Sequence, residues 1–293
     1  MRNLASSPVP SRPDECVAAR SVGYGPQPNT GVSRVTDPDL DDEDRPSGWV
    51  QDVVRTWLPA ILAVLLIRTY VFEPFRIPSG SMVPTLQIGD HVVVNKASYG
   101  LWVPTSLVEI PFTEWIWLPD RFELFDWGDP ERGDIIVFRF PRNETLNYIK
   151  RVVGVPGDRI RVTKNQIFVN EQPMEQSFDG GYTFVDDRCA SDKLKRYVET
   201  FEDGEEHHVL KSEFGGRLST MRHEVTVPEG MVFVMGDNRD NSEDSREWRF
   251  VEYAQIKGKA HFVWFSWDSC NGRPFGQPRG ERFFRGLYRL HED

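Results

Sequence analysis

Cysteine is scarce in this chain, with three in 293 residues, at Cys16, Cys189 and Cys270. So few, set so far apart, they build neither a disulfide framework nor a zinc site; one bridge, Cys189 with Cys270, stays open. Positive charge is also short. Thirty-five Lys and Arg against 45 Asp and Glu leave a formal charge of -10, which argues against a nucleic-acid partner, since phosphate binding needs a basic surface. No apolar stretch follows Met1, so no cleavable signal peptide is expected at the start, and no internal repeat is visible. Long hydrophobic runs are absent but for one, "WLPAILAVLLIRTYVF", Trp57–Phe72.

That run is short of the roughly 20 residues a spanning helix needs, but flanks from Trp49 to Phe75 lengthen it, and Arg68 near its end can reach the interface. A buried core helix is the plainer alternative. A solitary run near the N-terminus, followed by β-patterned sequence, favours a transmembrane segment. Arg45 and Arg55 before it and Arg76 alone close after it place the N-terminus in the cytoplasm and the C-terminal body outside. Residues 1–47, with many Pro, Ser, Asp and Arg and no apolar period, read as a disordered tail.

Beyond Phe75 the pattern has period two. Asp90–Lys96, Asp134–Phe140, Tyr148–Val155, Asp158–Val169, His223–Asp237 and Lys259–Trp267 read as strands, with a hairpin closing near Lys164–Asn165. Residues 97–131 interrupt them with an aromatic stretch, "FTEWIWLPDRF", suited to a membrane interface or to a loop packed on the core. Residues 171–222 are polar and read as a solvated insertion or small cap; within them His207 and His208 lack companions at metal-ligand spacing and read as part of a solvated charge run. The fold expected is mainly β: an antiparallel-sheet catalytic core in two parts, 76–170 and 223–293, with an inserted cap at 171–222, preceded by one N-terminal transmembrane helix within 48–75.

Three stretches carry chemistry. The first is "RIPSGSMVPTLQIGD", Arg76–Asp90, with hydroxyls at Ser79 and Ser81. A serine needs a base beside it to attack at neutral pH. None of the six histidines sits in a triad signature. The nucleophile elbow G-x-S-x-G fails because Ser79 and Val83 stand where its glycines should be, and S-x-x-K fails because Pro84 holds the lysine's place. In an extended stretch Ser79 and Ser81 project to one side, and Gly80 lets a substrate backbone approach. The second stretch is "NYIKRVVGVPGD". On a strand Tyr148, Lys150 and Val152 share one face and Ile149, Arg151 and Val153 the other, both largely apolar. A lysine kept from water loses stability in its charged form, and its neutral amine can serve as a base; an edge-strand lysine with its head in water is the plainer alternative. The third, "MGDNRDNSEDSR", Met235–Arg246, reads as a turn-rich loop with ion pairs among Asp237, Asp240, Asp244, Arg239 and Arg246. It misses calcium-loop spacing.

In this order, behind one apolar segment, "PSGSMVPTLQIGD", "RGDIIVF", "YIKRVVGVPGD" and "GDNRDNSEDSR" resemble bacterial signal peptidase I, a Ser-Lys serine protease family. The resemblance spans most of residues 76–265. It implies that Ser81 is the nucleophile and Lys150 its general base, that Ser79 helps the Ser81 backbone N–H hold the oxyanion, and that Ser242 hydrogen-bonds and orients the lysine amine. Asp237 with Arg151, and Asp244 with Arg246, match supporting charged positions. It further implies a substrate strand along Arg76–Ser81, with shallow apolar pockets for which Ile77, Pro78, Val83 and Tyr148 are the candidate linings, and chemistry without metal or cofactor. The expected partners are the signal peptides of secreted preproteins, the lipid bilayer and the export machinery, at the cell membrane. Two alternatives stand beside this: a narrow-client peptidase of the same clan, and an inactive membrane-anchored binding module, against which the intact Ser81 and Lys150 argue.

Overall fold

A computed structural model describes residues 48–104, 121–126, 128–270 and 275–288. Two compact units divide the chain, Met1–Gln51 and Asp52–Asp293; of the first, only residues 48–51 are described. The expected tail at 1–47 and most of the "FTEWIWLPDRF" stretch lie outside the described residues.

One long helix, α1 (Trp49–Tyr70), precedes the strands. It covers the apolar run, and its large apolar side chains described from Val53 to Ile67 are each 45–64% exposed. Among the described residues, no helix is long and apolar enough to cross a membrane. The physical reason is visible in α1: Arg55 and Arg68 leave Thr56–Ile67 as its uncharged stretch, about 18 Å of helix against a hydrocarbon core of about 30 Å.

The strands follow in order: β1 (Phe72–Arg76), β2 (Asp90–Asn95), β3 (Gly100–Pro104), β4 (Arg121–Asp126), β5 (Ile135–Phe140) and β6 (Asn143–Gly154). Then come β7 (Arg159–Thr163), β8 (Gln166–Val169), β9 (Gln172–Pro173), β10 (Glu175–Val185), β11 (Ser191–Thr200) and β12 (Glu206–Lys211). The last are β13 (Val225–Thr226), β14 (Met231–Met235), β15 (Val251–Glu252), β16 (Ile256–Asp268), β17 (Gln277–Pro278) and β18 (Arg285–Gly286), with one short helix, α2 (Ser245–Trp248), before β15. The fold is mainly β, and the strands pair antiparallel. The largest sheet runs β1-β2-β16-β5-β6-β14-β15, with β17 and β18 as short additions to β16. Smaller sheets are β13-β7-β8-β9, β10-β11-β12 and the hairpin β3-β4.

Alternation explains the large sheet. In β5 Ile135 and Val137 enter one core cluster, with Met82, Leu86, Val92 and Val263. Ile136 and Phe138, pointing the other way, enter a second with Val152, Val234 and Trp248. Both faces of β5 are thus dry, which a continuous run of β-branched residues satisfies. The hairpin β7-β8 turns at Lys164 and Asn165, both at positive φ (51° and 60°), as a two-residue turn between twisted strands requires.

The polar segment expected as a solvated insertion or small cap is ordered β structure. β10, β11 and β12 form a three-stranded sheet, and His207, read from sequence as solvated, is 5% exposed. The solvated reading of His207 fails because the partner that lets it be buried, Glu199, sits on the neighbouring strand in register with it.

Candidate active site

Ser81 is the middle residue of a one-turn 3-10 helix, Gly80–Met82, entered through extended Ser79. The turn is held by what surrounds it. Met82 and Leu86 are wholly buried, and the Leu86 amide donates to the Met82 carbonyl at 2.8 Å. At the end of the loop the Asp90 carboxylate accepts from the Gln87 amide at 2.8 Å and from the buried Arg282 guanidinium at 3.0 Å. From across the site the Asn238 amide donates to the Ser81 carbonyl at 3.0 Å, and its side chain to the Gly80 carbonyl at 3.2 Å. The extended geometry expected over Ser79–Ser81 therefore gives way to a turn, because Met82 and Leu86 must both reach the core. Ser79 and Ser81 still line one cleft, of about 590 Å³.

Lys150 lies on β6 where that strand passes from exposed to buried. It is 4% exposed. Its Nζ donates to Ser81 Oγ at 2.7 Å and to the Ile149 carbonyl at 3.0 Å. Nζ also lies 5.4 Å from the centre of the Tyr148 ring. Burial pushes the amine down from 10.5 to about 8, against the opposing pull of Asp244 and Asp237: desolvation penalises the ammonium more than two carboxylates, each engaged by its own arginine, restore it.

Those carboxylates are fully paired. Arg151 donates to both oxygens of Asp237, at 2.9 and 2.8 Å, and Thr85 donates to Oδ2 at 2.5 Å. Arg246 donates to Asp244 at 2.8 and 2.7 Å, and the Gly236 amide adds a bond of 3.1 Å. Burial would raise both acids, yet Arg151 and Arg246 hold them below the usual carboxylate range. Ser242 Oγ donates to Asp244 Oδ2 at 2.9 Å, so its hydrogen goes to the carboxylate and not to the lysine amine. The in-loop ion pairs expected for the third stretch form only in part. Asp244 pairs with Arg246, whereas Asp237 turns to Arg151 on β6, Arg239 to Glu199 on β11, and Asp240 accepts from Asn165 and the Ser212 amide.

The candidate pocket linings separate. Pro78 lines the cleft that holds Ser81 and, with Val83, a second cleft of about 360 Å³ beside it. Ile77 is 2% exposed and packs into the core with Met82 and Leu86. Tyr148 stacks on Phe140, ring centres 4.5 Å apart. Gly80 lines the cleft with Ser79 and Ser81, and on its Cβ side it meets the cap: a Cβ there would stand 2.5 and 2.6 Å from Cε2 and Cζ of Phe184.

Sequence reasoning missed the contribution of β10–β12. Phe184 and Leu194 line the cleft that holds Ser81. The Cys189–Cys270 bridge that the sequence left open is formed, and it ties the β10–β11 turn to the end of β16. Asn238 was also missed, although it sits inside a quoted motif. Its signal is only the local hydrogen-bonding capacity of Asn in a turn. Among the described residues, no cluster of His, Cys, Asp or Glu could hold a metal ion.

Against known proteins, residues 50–267 match the family described as signal peptidase, peptidase S26. A signal peptidase I from Pseudomonas aeruginosa is 37% identical over 227 residues, covering 73% of this chain and 72% of that protein. One from Rickettsia typhi is 35% identical over 252 residues, covering 79% and 92%. A solved signal peptidase I from Enterococcus faecalis is 28% identical, covers 45% of this chain and 97% of its own, and superposes with a TM-score of 0.27.

Proposed function

The chain belongs to the signal peptidase I family, peptidase S26, and on that premise we propose that it removes signal peptides from exported proteins with Ser81 as nucleophile and Lys150 as general base. The observation that carries this is the buried contact of 2.7 Å between Lys150 Nζ and Ser81 Oγ. In the neutral amine the hydrogen bond reverses: the hydroxyl donates, and Nζ takes the proton as Oγ attacks the scissile carbonyl. The oxyanion is held by the Ser81 backbone N–H and the Ser79 hydroxyl. The ammonium then protonates the leaving amine, which departs as the new N-terminus of the mature protein and leaves an acyl-enzyme. Lys150 next deprotonates a water, which frees the signal peptide and regenerates Ser81.

Asp237 with Arg151 and Asp244 with Arg246 hold the walls around the amine, and Ser242 fixes Asp244. Residues 171–222 act as a cap that forms one side of the cleft. The helix α1 brings the protein to the lipid bilayer, where signal peptides arrive from the export machinery. The N-terminus then lies in the cytoplasm and the sheets outside. Full crossing of the bilayer by α1 would need Arg55 and Arg68 to extend to opposite interfaces.

Cleavage of a precursor by wild type, Ser81→Ala, Lys150→Met and Ser79→Ala tests the assignment. The first two variants should lose all measurable cleavage with folding intact. Loss of one oxyanion donor in Ser79→Ala should cost about 100–1000-fold in kcat. Wild-type turnover in Lys150→Met would remove the lysine from the mechanism.

A further inference from the structure

The side of the Gly80–Met82 turn that a Cβ at Gly80 would face is occupied by a residue of the cap. The Phe184 ring, 7% exposed, fills the space such a Cβ would take. It is not free to swing away, because Val83, Leu194 and Leu210 enclose it in one apolar cluster. The sheet that carries it is braced twice. The disulfide Cys189–Cys270 holds the β10–β11 turn, and on β12 the Leu210 amide donates to the Asp237 carbonyl at 2.8 Å, one residue from the Asn238 amide that grips Ser81.

We propose that Phe184 is a positioning residue for Ser81: its ring, seated against Gly80, restricts the one residue in the turn that backbone sterics leave free. Glycine samples regions closed to other residues, so an unsupported Gly80 would let Ser81 Oγ wander from Lys150. A displacement of about 1 Å in a reacting group can cost on the order of 100-fold in rate. The glycine is required in turn, because only a hydrogen leaves room for the ring. Gly80 and Phe184 thus form a complementary pair, one small so that the other can wedge. The inference rests on the assignment of Ser81 as nucleophile.

A double-mutant cycle on the full chain tests it, with cleavage of a signal-sequence peptide as readout and Ser81→Ala as control. Phe184→Ala should lower kcat by roughly 10–100-fold with KM changed less than about threefold, and Phe184→Leu should restore most of it. Gly80→Ala should be deleterious in the wild-type background, where its methyl meets the ring. In Phe184→Ala it should raise kcat, since the methyl refills part of the vacated space. A reversal of sign of this kind is not expected of a residue that only stabilises the fold. Wild-type kcat in Phe184→Ala, or an equal effect of Gly80→Ala in both backgrounds, overturns the proposal. Should Phe184→Ala fail to fold, the cycle with Phe184→Val, which also vacates the space beside Gly80, decides by the same criterion. Full activity in Ser81→Ala would overturn the nucleophile assignment and this inference together; with Ser81→Ala inactive, the cycle judges Phe184 alone.

Discussion

An amine that is 4% exposed and still bonded to a hydroxyl has one strong reason to give up its proton, and burial outweighs the two carboxylates that oppose it. The sign for activity follows. Below about 8 the amine is charged and cannot accept the Ser81 proton, so kcat/KM should fall about tenfold per pH unit on the acidic side, with its midpoint near 8 in the free protein. A flat profile from pH 6 to 9 would remove Lys150 as the base. Folding stability carries the same sign. The unfolded lysine binds its proton up to its ordinary value of 10.5, whereas the folded one releases it near 8. Between these the unfolded state holds more protons, so stability rises with pH, and a cost of about 3 kcal/mol is fully present below 8.

The β10–β12 sheet shows where sequence stops informing. The strands of the large sheet were legible because both their alternation and their apolar runs are local, as in Ile135–Phe138, and the Lys164–Asn165 turn was legible because two residues suffice to make it. The Ser81–Lys150 pair became readable through several motifs in order, not from spacing. Glu199, His207 and Arg239 were unreadable. Each resembles a charge at the surface, and what buries it is a partner on another strand or loop: Arg239 Nη1 donates to Glu199 Oε1, 40 residues away, at 2.9 Å, with a second, shorter bond from Nη2 to Oε2. His207 Nε2 lies 3.3 Å from the same carboxylate. Burial would raise Glu199, but Arg239 and His207 draw it well below the carboxylate range. That stability is present above the unfolded value and lost on acidification. Glu199→Gln keeps the shape and leaves Arg239 charged and unpaired, which should cost about 3–5 kcal/mol in chemical denaturation. A cost under about 1 kcal/mol would mean that the cap is not tied to the site by this pair.

Over the whole chain, the net charge of -10 offers no overall attraction to an anionic lipid surface, so the proposed membrane association rests on apolar contact. In the proposed function the helix α1 supplies it. Its described apolar side chains from Val53 to Ile67 stand about half exposed on all sides of the helix, an arrangement that water penalises and lipid does not. Leu58 and Leu62, 48% and 49% exposed, sit one turn apart near the middle of the uncharged stretch. Placing Asp at both in the full chain adds roughly 2.5–3.5 kcal/mol per residue to burial in hydrocarbon, while surface changes of this kind barely affect a folded body. The double variant Leu58→Asp/Leu62→Asp should therefore leave lipid vesicles in a flotation assay that wild type follows. It should cut a short soluble peptide at the wild-type rate within about twofold, and should cut a membrane-inserted precursor far more slowly. Flotation unchanged from wild type would take α1 out of the anchoring role. Loss of soluble-peptide cleavage in step with the precursor would mean that the helix serves the site itself and not its delivery to the membrane.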